Sequence, residues 1–387
     1  MGLFVILGLI FFISPLFGVV LSFFGLYFYH NKKDKSLICF FYLGLFLGLI
    51  NCLKVPENDL ENYILMYSTG HELGFIPYVF SFGKEQMFMV FNYSVYALTG
   101  GSVELYLIIF TVICYMLIFY SIWIVHNKIK QSTYTFVMAI SVAFFFPNLF
   151  LLSAHLMRQF MAASLVLFLI VNFIFNGKKG YVYYILSVLI HSSSLLFGFL
   201  FFPFLKRRVS NKKIFTLAGI LGVVLLLSFK FSGFFLKLFA NVPVLSYVFY
   251  RLNGTEVVWE TDNLGLSNFI LQMFVVFVFY KVANMAKLYQ FKSLQTLYIS
   301  SLLLLLFVVA NYSNTELALR FSFYLYFLFP IAFYFLPFLL SKEKALGIEK
   351  LLALFLCILF GLWFVYKLNY GVWTFNNLET LLLNYEL

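Results

Sequence analysis

Apolar segments long enough to cross a bilayer recur along the chain from Gly2 to Tyr366, and this recurrence constrains the fold more than any motif. A hydrocarbon core about 30 Å thick needs about 20 apolar residues in a helix. Hydrophobic residues make up 63% of the 387-residue sequence and charged residues 11%, which leaves too little polar surface to coat a soluble globule. Ten spanning segments lie at 3–29, 37–53, 103–125, 133–152, 156–176, 214–229, 269–287, 293–312, 320–340 and 351–368. The sequence therefore predicts an all-α, polytopic membrane protein with about ten full transmembrane helices, forming a single integral membrane domain over residues 1–387.

Short lysine-rich loops between these segments indicate the orientation. Cytoplasmic loops carry an excess of Lys and Arg, so these loops are expected to be cytoplasmic. They lie at 30–36, 126–132, 176–181, 206–213, 287–293 and 341–350. The net charge of +11 is dispersed over such loops, so it reflects topology and does not predict nucleic-acid binding. Both termini and the loops 54–85 and 230–268 are then external, and the two loops are expected to form an outward-facing cavity.

Two further apolar segments, 86–101 and 181–205, must enter and leave the membrane on the same side if these loops are cytoplasmic. The first is short and ends in Gly-Gly, and the second is interrupted by His-Ser-Ser-Ser. Irregular backbone at membrane depth is tolerated where it is buried in protein or lines an aqueous cavity. We expect both to be re-entrant or half-helix segments, with His191 deep in such a cavity.

Arginines are rare in this chain, and their placement predicts a phosphate site. Only five arginines accompany 21 lysines, and three of them lie on the predicted external side: Arg158, Arg251 and Arg320. A planar guanidinium binds phosphate through two parallel hydrogen bonds, which an ammonium cannot do. The alternative is structural, since Arg158 and Arg320 could snorkel at helix ends or pair with His155 and Glu316.

The stretch "LMRQFMAASLVLFLIVNFIFNGKKGYVYYILSVLIHSSS" has Arg-Gln at a helix start, alanines shortly after, a Lys-Lys loop and then His-x-Ser. This pattern resembles the EpsG-like branch of the Wzy-type polymerases of O-antigen and exopolysaccharide. Weaker matches are "DLENYILMY", "FGKEQMF" and "ALRFSFYLYF". One departure is that the family usually has Glu-Pro-Gly in the first external loop, whereas Glu85 is followed by Gln86 and Met87.

The resemblance implies a membrane glycosyltransferase that joins repeat units carried on undecaprenyl diphosphate at the outer face of the bacterial cytoplasmic (inner) membrane. The partners implied are the lipid-linked oligosaccharide donor and acceptor, the surrounding bilayer and, as a further candidate, a chain-length regulator protein. In inverting transfer, an acceptor hydroxyl attacks the anomeric carbon and lipid diphosphate leaves, so cations near that leaving group matter most. Candidate substrate-binding residues are Arg158, Gln159, Arg251, Arg320, Tyr63, Tyr324 and His155.

The acceptor hydroxyl needs a general base, and the candidates are His191, Glu85 and Asp59, with His155 as a further choice. An imidazole ordinarily titrates near neutral pH, which favours His191, but a carboxylate at Glu85 could serve equally. The external loops contain no D-x-D or His-rich metal motif and the cysteines have no zinc-site spacing, so no metal and no cofactor are expected. His191 could also be held by backbone carbonyls without taking part in chemistry.

Two other functions fit part of the pattern. A lipid-linked oligosaccharide flippase would share the spans and interior arginines, but it would also show two related halves, and no such repeat is visible in the sequence. A glycan ligase of the same membrane would share the external arginines, and only the family resemblance favours a polymerase over a ligase.

Overall fold

The computed structural model describes residues 2–81, 85–201, 209–239, 241, 246, 266–285, 294–312, 315–340, 345–370, 374–376 and 378. The chain divides into two compact units, Met1–Phe199 with Leu336–Leu387, and Leu200–Phe335. The described residues are predominantly helical, with one isolated antiparallel bridge between Lys54 and Phe375, which confirms the predicted all-α class.

Helices of the first unit occur in chain order as follows. They are α1 (Gly2–Ile13), α2 (Pro15–Tyr29), α3 (Lys33–Cys52), α4 (Asp59–Thr69), α5 (Phe75–Phe80), α6 (Gln86–Thr99), α7 (Val103–Ile129), α8 (Thr133–Phe145), α9 (Pro147–His155), α10 (Met157–Asn176) and α11 (Tyr181–Ile190), followed by a 3-10 helix over Ser192–Phe201 and, near the C-terminus, α17 (Ala345–Tyr370).

The second unit contains α12 (Asn211–Lys230), α13 (Ser232–Leu238), α14 (Leu266–Ala283), α15 (Gln295–Ala310) and most of α16 (Thr315–Leu340). Buried polar side chains pair within it. Gln272 on α14 donates a hydrogen bond to Ser322 on α16 at 2.8 Å. This bond gives the amide N–H of Gln272 a partner in an apolar interior, where no water is available.

The expected count of about ten transmembrane helices is not confirmed. In the described part of the chain, six helices are long and apolar enough to cross a membrane, or seven if the bent pair α8 and α9 counts as one span. The six are α3, α7, α10, α12, α16 and α17. The other three expected spans, 3–29, 269–287 and 293–312, correspond to shorter apolar helices.

Proline explains why two of the expected continuous helices are broken. Segment 3–29 divides at Ser14, whose hydroxyl accepts a hydrogen bond from the backbone N–H of Phe17, with Pro15 as the first helical residue. Serine at the cap and proline at the first position form a helix start, and proline cannot continue the preceding helix. Phe146–Pro147 similarly separates α8 from α9, which are bent by 44°. Helices α1 and α2 have 12 and 15 residues, so each is only about 18–22 Å long.

The two predicted irregular segments have the predicted interruptions. Segment 86–101 is the 14-residue helix α6, which ends at Gly100 in the left-handed conformation. Segment 181–205 is broken at the expected place: α11 ends at Ile190, His191 has an extended backbone, and a 3-10 helix follows. Whether these segments re-enter on one side of the membrane stays a prediction.

Close packing of α3 against α7 forms the interior of the first unit. A Cβ atom on Gly48 would lie 3.1 Å from the backbone of Ile108, so a side chain at this position would require α3 and α7 to shift slightly apart. Near the same end of α3, Asn51 donates hydrogen bonds to Thr111 at 3.0 Å and to Ser153 at 2.6 Å. These bonds connect α3, α7 and α9, and they fix the helix that leads directly into α10.

Candidate active site

Four side chains from separate elements of the first unit form a cluster that we call the Glu85 cluster: Tyr63, Glu85, Arg158 and His191. An Nη1–H of Arg158 donates a short hydrogen bond to Oε2 of Glu85, forming an ion pair. Nε of Arg158 donates to the Tyr63 hydroxyl at 3.3 Å, and the guanidinium lies 5.4 Å from the centre of the Tyr63 ring. On the other side of the carboxylate, Nε2 of His191 is 3.9 Å from Oε1 of Glu85.

An antiparallel helix pair brings His191 back to Arg158. Arg158 lies in the first turn of α10, and α11 returns alongside α10, with the rings of Phe168 and Tyr183 4.9 Å apart. From that contact, eight residues back along α10 reach Phe160 and eight residues forward along α11 reach His191. Because antiparallel helices advance equally in opposite directions, the end of α11 must lie near the start of α10.

Glu85 enters the cluster through an unusual backbone conformation. Its φ of 62° and ψ of 38° lie in the left-handed region, which is uncommon for residues other than glycine and costs about 1–3 kcal/mol. Its carbonyl accepts a hydrogen bond from Phe88 at 3.0 Å, and Phe88 and Met89 anchor the first turn of α6 in the interior. In this conformation the carboxylate points towards Arg158, with which it forms an ion pair.

Tyr63 is presented by the amphipathic helix α4. Leu60, Tyr63 and Tyr67 follow one another at helical spacing and are all buried. The ring of Tyr67 stacks on Tyr106 of α7 at 4.2 Å, while the ring of Tyr63 packs edge-on against Phe88. Burial raises the pKa of Tyr63, and the neighbouring Arg158 guanidinium opposes this by stabilising the phenolate. Tyr63 therefore remains a neutral hydroxyl that can accept from Arg158.

The cluster is largely enclosed but open at Arg158. The side chain of Arg158 is 27% exposed, against 7% for Glu85 and 11% for His191. Nδ1 of His191 faces the Ser193 hydroxyl at 2.6 Å and accepts from the backbone N–H of Ser193 at 3.3 Å. In a neutral imidazole only one nitrogen carries the proton, so this contact leaves the proton on Nε2, which faces Glu85.

Three other predicted site residues lie near the cluster in sequence. Gln159, next to Arg158, and His155, in the last turn of α9, are both buried. Asp59 is exposed one turn before Tyr63 on α4, and its charge acts on the Tyr63 hydroxyl. The structural alternative in the sequence paired Arg158 with His155 or Glu316. The ion pair that the structure describes for Arg158 is with Glu85.

The remaining predicted residues are placed elsewhere. Arg320 is half-buried and Tyr324 is buried, and both lie on α16 in the second unit. Arg251 is outside the described residues. The convergence of Arg158, Arg251 and Arg320 on one cavity therefore stays a prediction. Within the ranges described above, no group of three or more His, Cys, Asp or Glu residues could hold a metal ion.

Lys54 is a buried cation that sequence reasoning missed. It follows α3, is only 3% exposed, and donates from Nζ to the carbonyl of Leu151 on α9 at 2.7 Å. The rings of Phe150 and Phe375 lie 5.3 and 5.9 Å from its ammonium group. Burial lowers the pKa of Lys54 well below its ordinary value. The only signal in the sequence is that "INCLKVP" places a single lysine among apolar residues.

The helices and the Glu85 cluster define the class of this protein: an all-helical, multi-pass membrane protein with a carboxylate, an imidazole and a guanidinium gathered where a transmembrane helix begins. The chain belongs to the EpsG family, whose profile matches residues 37–386. This is a family of Wzy-like, polymerase-type proteins of exopolysaccharide and O-antigen synthesis, and the membership indicates a polymerase-like role in making polysaccharide. Comparisons with curated proteins and with solved structures give no match.

Proposed function

We propose that this protein is a polysaccharide polymerase that joins repeat units carried on undecaprenyl diphosphate, and that the Glu85 cluster is its active site. The observation that carries the proposal is the Glu85 carboxylate, held between Arg158 and His191 in a chain of the EpsG family. The enzyme works at the outer face of the bacterial cytoplasmic membrane, with the loops 54–85 and 230–268 around the entrance.

The reaction is an inverting glycosyl transfer. A hydroxyl oxygen of the acceptor unit attacks the anomeric carbon of the donor glycan, and the bond from that carbon to the diphosphate oxygen breaks. The proton of the hydroxyl passes to a base, and the electron pair of the broken bond leaves with the lipid diphosphate. The chain must therefore supply a base near the acceptor and positive charge near the leaving group.

Glu85 is the better candidate for the base. The acceptor nitrogen of His191 is already engaged by Ser193, so a neutral His191 presents an N–H, and not a lone pair, to the cluster. The Glu85 carboxylate forms an ion pair with Arg158, and a carboxylate only accepts hydrogen bonds. His191 then orients the carboxylate through Nε2–H.

Arg158 connects the base to the leaving group. A guanidinium has five N–H donors, and its contacts with Tyr63 and Glu85 in the described part of the chain use two of them. Its partial exposure leaves it accessible to a diphosphate oxygen. A diphosphate in a low-dielectric cavity needs more than one cation, so Arg251 and Arg320 are proposed to complete the site.

The test is the glycan profile of a deletion strain complemented with wild-type protein or with Glu85→Gln. A polymerase predicts single lipid-linked repeat units in the deletion strain and in the variant, and full-length polymer with the wild type. Intermediates left on the cytoplasmic side would indicate a flippase, and complete but unattached polymer would indicate a ligase. Either result would overturn the proposal.

A further inference from the structure

A groove runs between α2, α8 and α17 on the first unit, with a volume of about 590 Å³. The groove lies at the start of α8. The bent pair α8–α9 ends at His155, which is close in sequence to Arg158 of the Glu85 cluster. The groove and the cluster are therefore near opposite ends of this helix pair. The wall of the groove is almost entirely hydrocarbon and aromatic. The apolar lining includes Val20, Phe23, Phe24, Val137, Ala353 and Leu354.

One end of this groove is polar and positively charged. The hydroxyl groups of Tyr27 and Tyr134 are 3.1 Å apart, and Nζ of Lys350 lies 5.1 Å from the centre of the Tyr134 ring. Val20 and Tyr27 lie on the same face of α2, two turns apart, so the apolar part extends about 10 Å from this end. The groove therefore combines an apolar channel with a cation and a pair of hydrogen-bonded tyrosine hydroxyl groups at its mouth.

Neighbouring loops place this mouth at the lysine-rich side of the protein. The segments 30–36 and 126–132 adjoin the groove at the end of α2 and at the start of α8, and Lys32 and Lys128 are exposed there. By the positive-inside rule this side is cytoplasmic, and the cytoplasmic leaflet is where anionic phospholipids give a negative surface potential.

We propose that this groove is a binding site for one anionic phospholipid of the cytoplasmic leaflet. An acyl chain lies along α2 and α17, and the phosphate contacts Lys350 together with the hydroxyl groups of Tyr27 and Tyr134. Charge complementarity selects the occupant, because an anionic headgroup keeps its net charge beside Lys350, whereas a zwitterionic headgroup brings a second cation to the same place. The site is independent of the Glu85 cluster and of the reaction proposed for it.

Native mass spectrometry of the full-length protein in detergent tests this directly. Phosphatidylglycerol and phosphatidylcholine with identical acyl chains are added in turn, and the bound lipids per chain are counted. We expect one retained phosphatidylglycerol and no matching retention of phosphatidylcholine. Lys350→Met should weaken the retention about five-fold, the effect of one lysine near an anionic headgroup. The matched control Lys128→Met removes a lysine from the same side outside the groove and should leave it unchanged.

A second variant tests the apolar channel. Val20 is partly exposed along the groove, so Val20→Trp should fill the channel and abolish retention while the protein remains folded. Equal retention of the two phospholipids, or equal losses in Lys350→Met and Lys128→Met, would overturn the proposal. Displacement of phosphatidylglycerol by an equimolar amount of undecaprenyl phosphate would also overturn it, because the groove would then be a site for the carrier lipid.

Discussion

Glu85→Gln separates the chemical role of the Glu85 cluster from its structural role. Glutamine keeps the size of the side chain and one oxygen that can accept from Arg158, but it removes the negative charge. Arg158 stays charged and keeps a weaker hydrogen bond to the neutral amide oxygen, so loss of the ion pair, which is partly exposed at Arg158, should cost about 1 kcal/mol of stability. The larger cost of a fully buried unpaired charge does not apply, because 27% of the Arg158 side chain is exposed.

The effect on polymerisation should be far larger than this structural cost. Loss of a general base reduces a rate by about 10² to 10⁴ fold, whereas 1 kcal/mol corresponds to only about five-fold. The assay is the initial rate of polymer formation in membranes that contain equal amounts of wild-type protein and variant. The melting temperature in detergent, measured on the same preparations, should fall by no more than a few degrees.

Glu61→Gln is the matched control, since Glu61 is exposed on α4 in the same predicted external region. It should leave both the rate and the melting temperature unchanged. A wild-type rate for stably inserted Glu85→Gln would refute the assignment of the base. A rate that falls only in proportion to the amount of folded protein would assign Glu85 a purely structural role.

Four further substitutions test the roles assigned to His191, Arg158, Arg320 and Lys54. His191→Ala should slow polymerisation severely while lipid-linked units still bind. Because His191 and Glu85 act on one proton transfer, the double variant with Glu85→Gln should be little slower than Glu85→Gln alone. Additive losses of rate would contradict this. Arg158→Lys and Arg320→Lys should shorten the polymer, since a point charge cannot replace the planar fork, and full chain lengths at normal expression would remove the diphosphate role. Burial lowers the pKa of Lys54 in the folded protein. Between this lowered pKa and the ordinary lysine pKa of about 10.4, the unfolded chain binds more protons, so the stability of the folded protein should rise with pH. Lys54→Met should flatten this rise in thermal melts.

Local signals in the sequence predict the break at His191, whereas hydropathy alone does not predict the break at Ser14. The His-Ser-Ser-Ser interruption correctly indicates that α11 ends before His191. In segment 3–29, hydropathy suggested one long helix, although Ser14-Pro15 is a clear helix start. A hydropathy window measures whether a segment is apolar, and it does not detect where the helix axis changes direction. For the same reason, hydropathy predicts one continuous helix across Phe146–Pro147, where the structure has two.

Residues of the candidate site could be selected from the sequence, but their pairing could not. Arg158 and Glu85 are 73 positions apart, and their contact depends on how α6 and α10 pack and on the left-handed conformation of Glu85. The guanidinium of Arg158 predicts a phosphate ligand, but the partners that the structure describes for it are the Glu85 carboxylate and the Tyr63 hydroxyl. Burial of Lys54 is equally hard to predict from the sequence, since it depends on the segments that fold over this residue.

The most direct test of the central claim is polymerisation by the purified wild-type protein in liposomes, supplied with the lipid-linked repeat unit as both donor and acceptor. The account predicts a ladder of products longer than one unit, an inverted anomeric configuration at each new linkage, and one released lipid diphosphate for each linkage. Repeat units that move across the bilayer without new linkages, or that stay single while the protein remains folded, would contradict it.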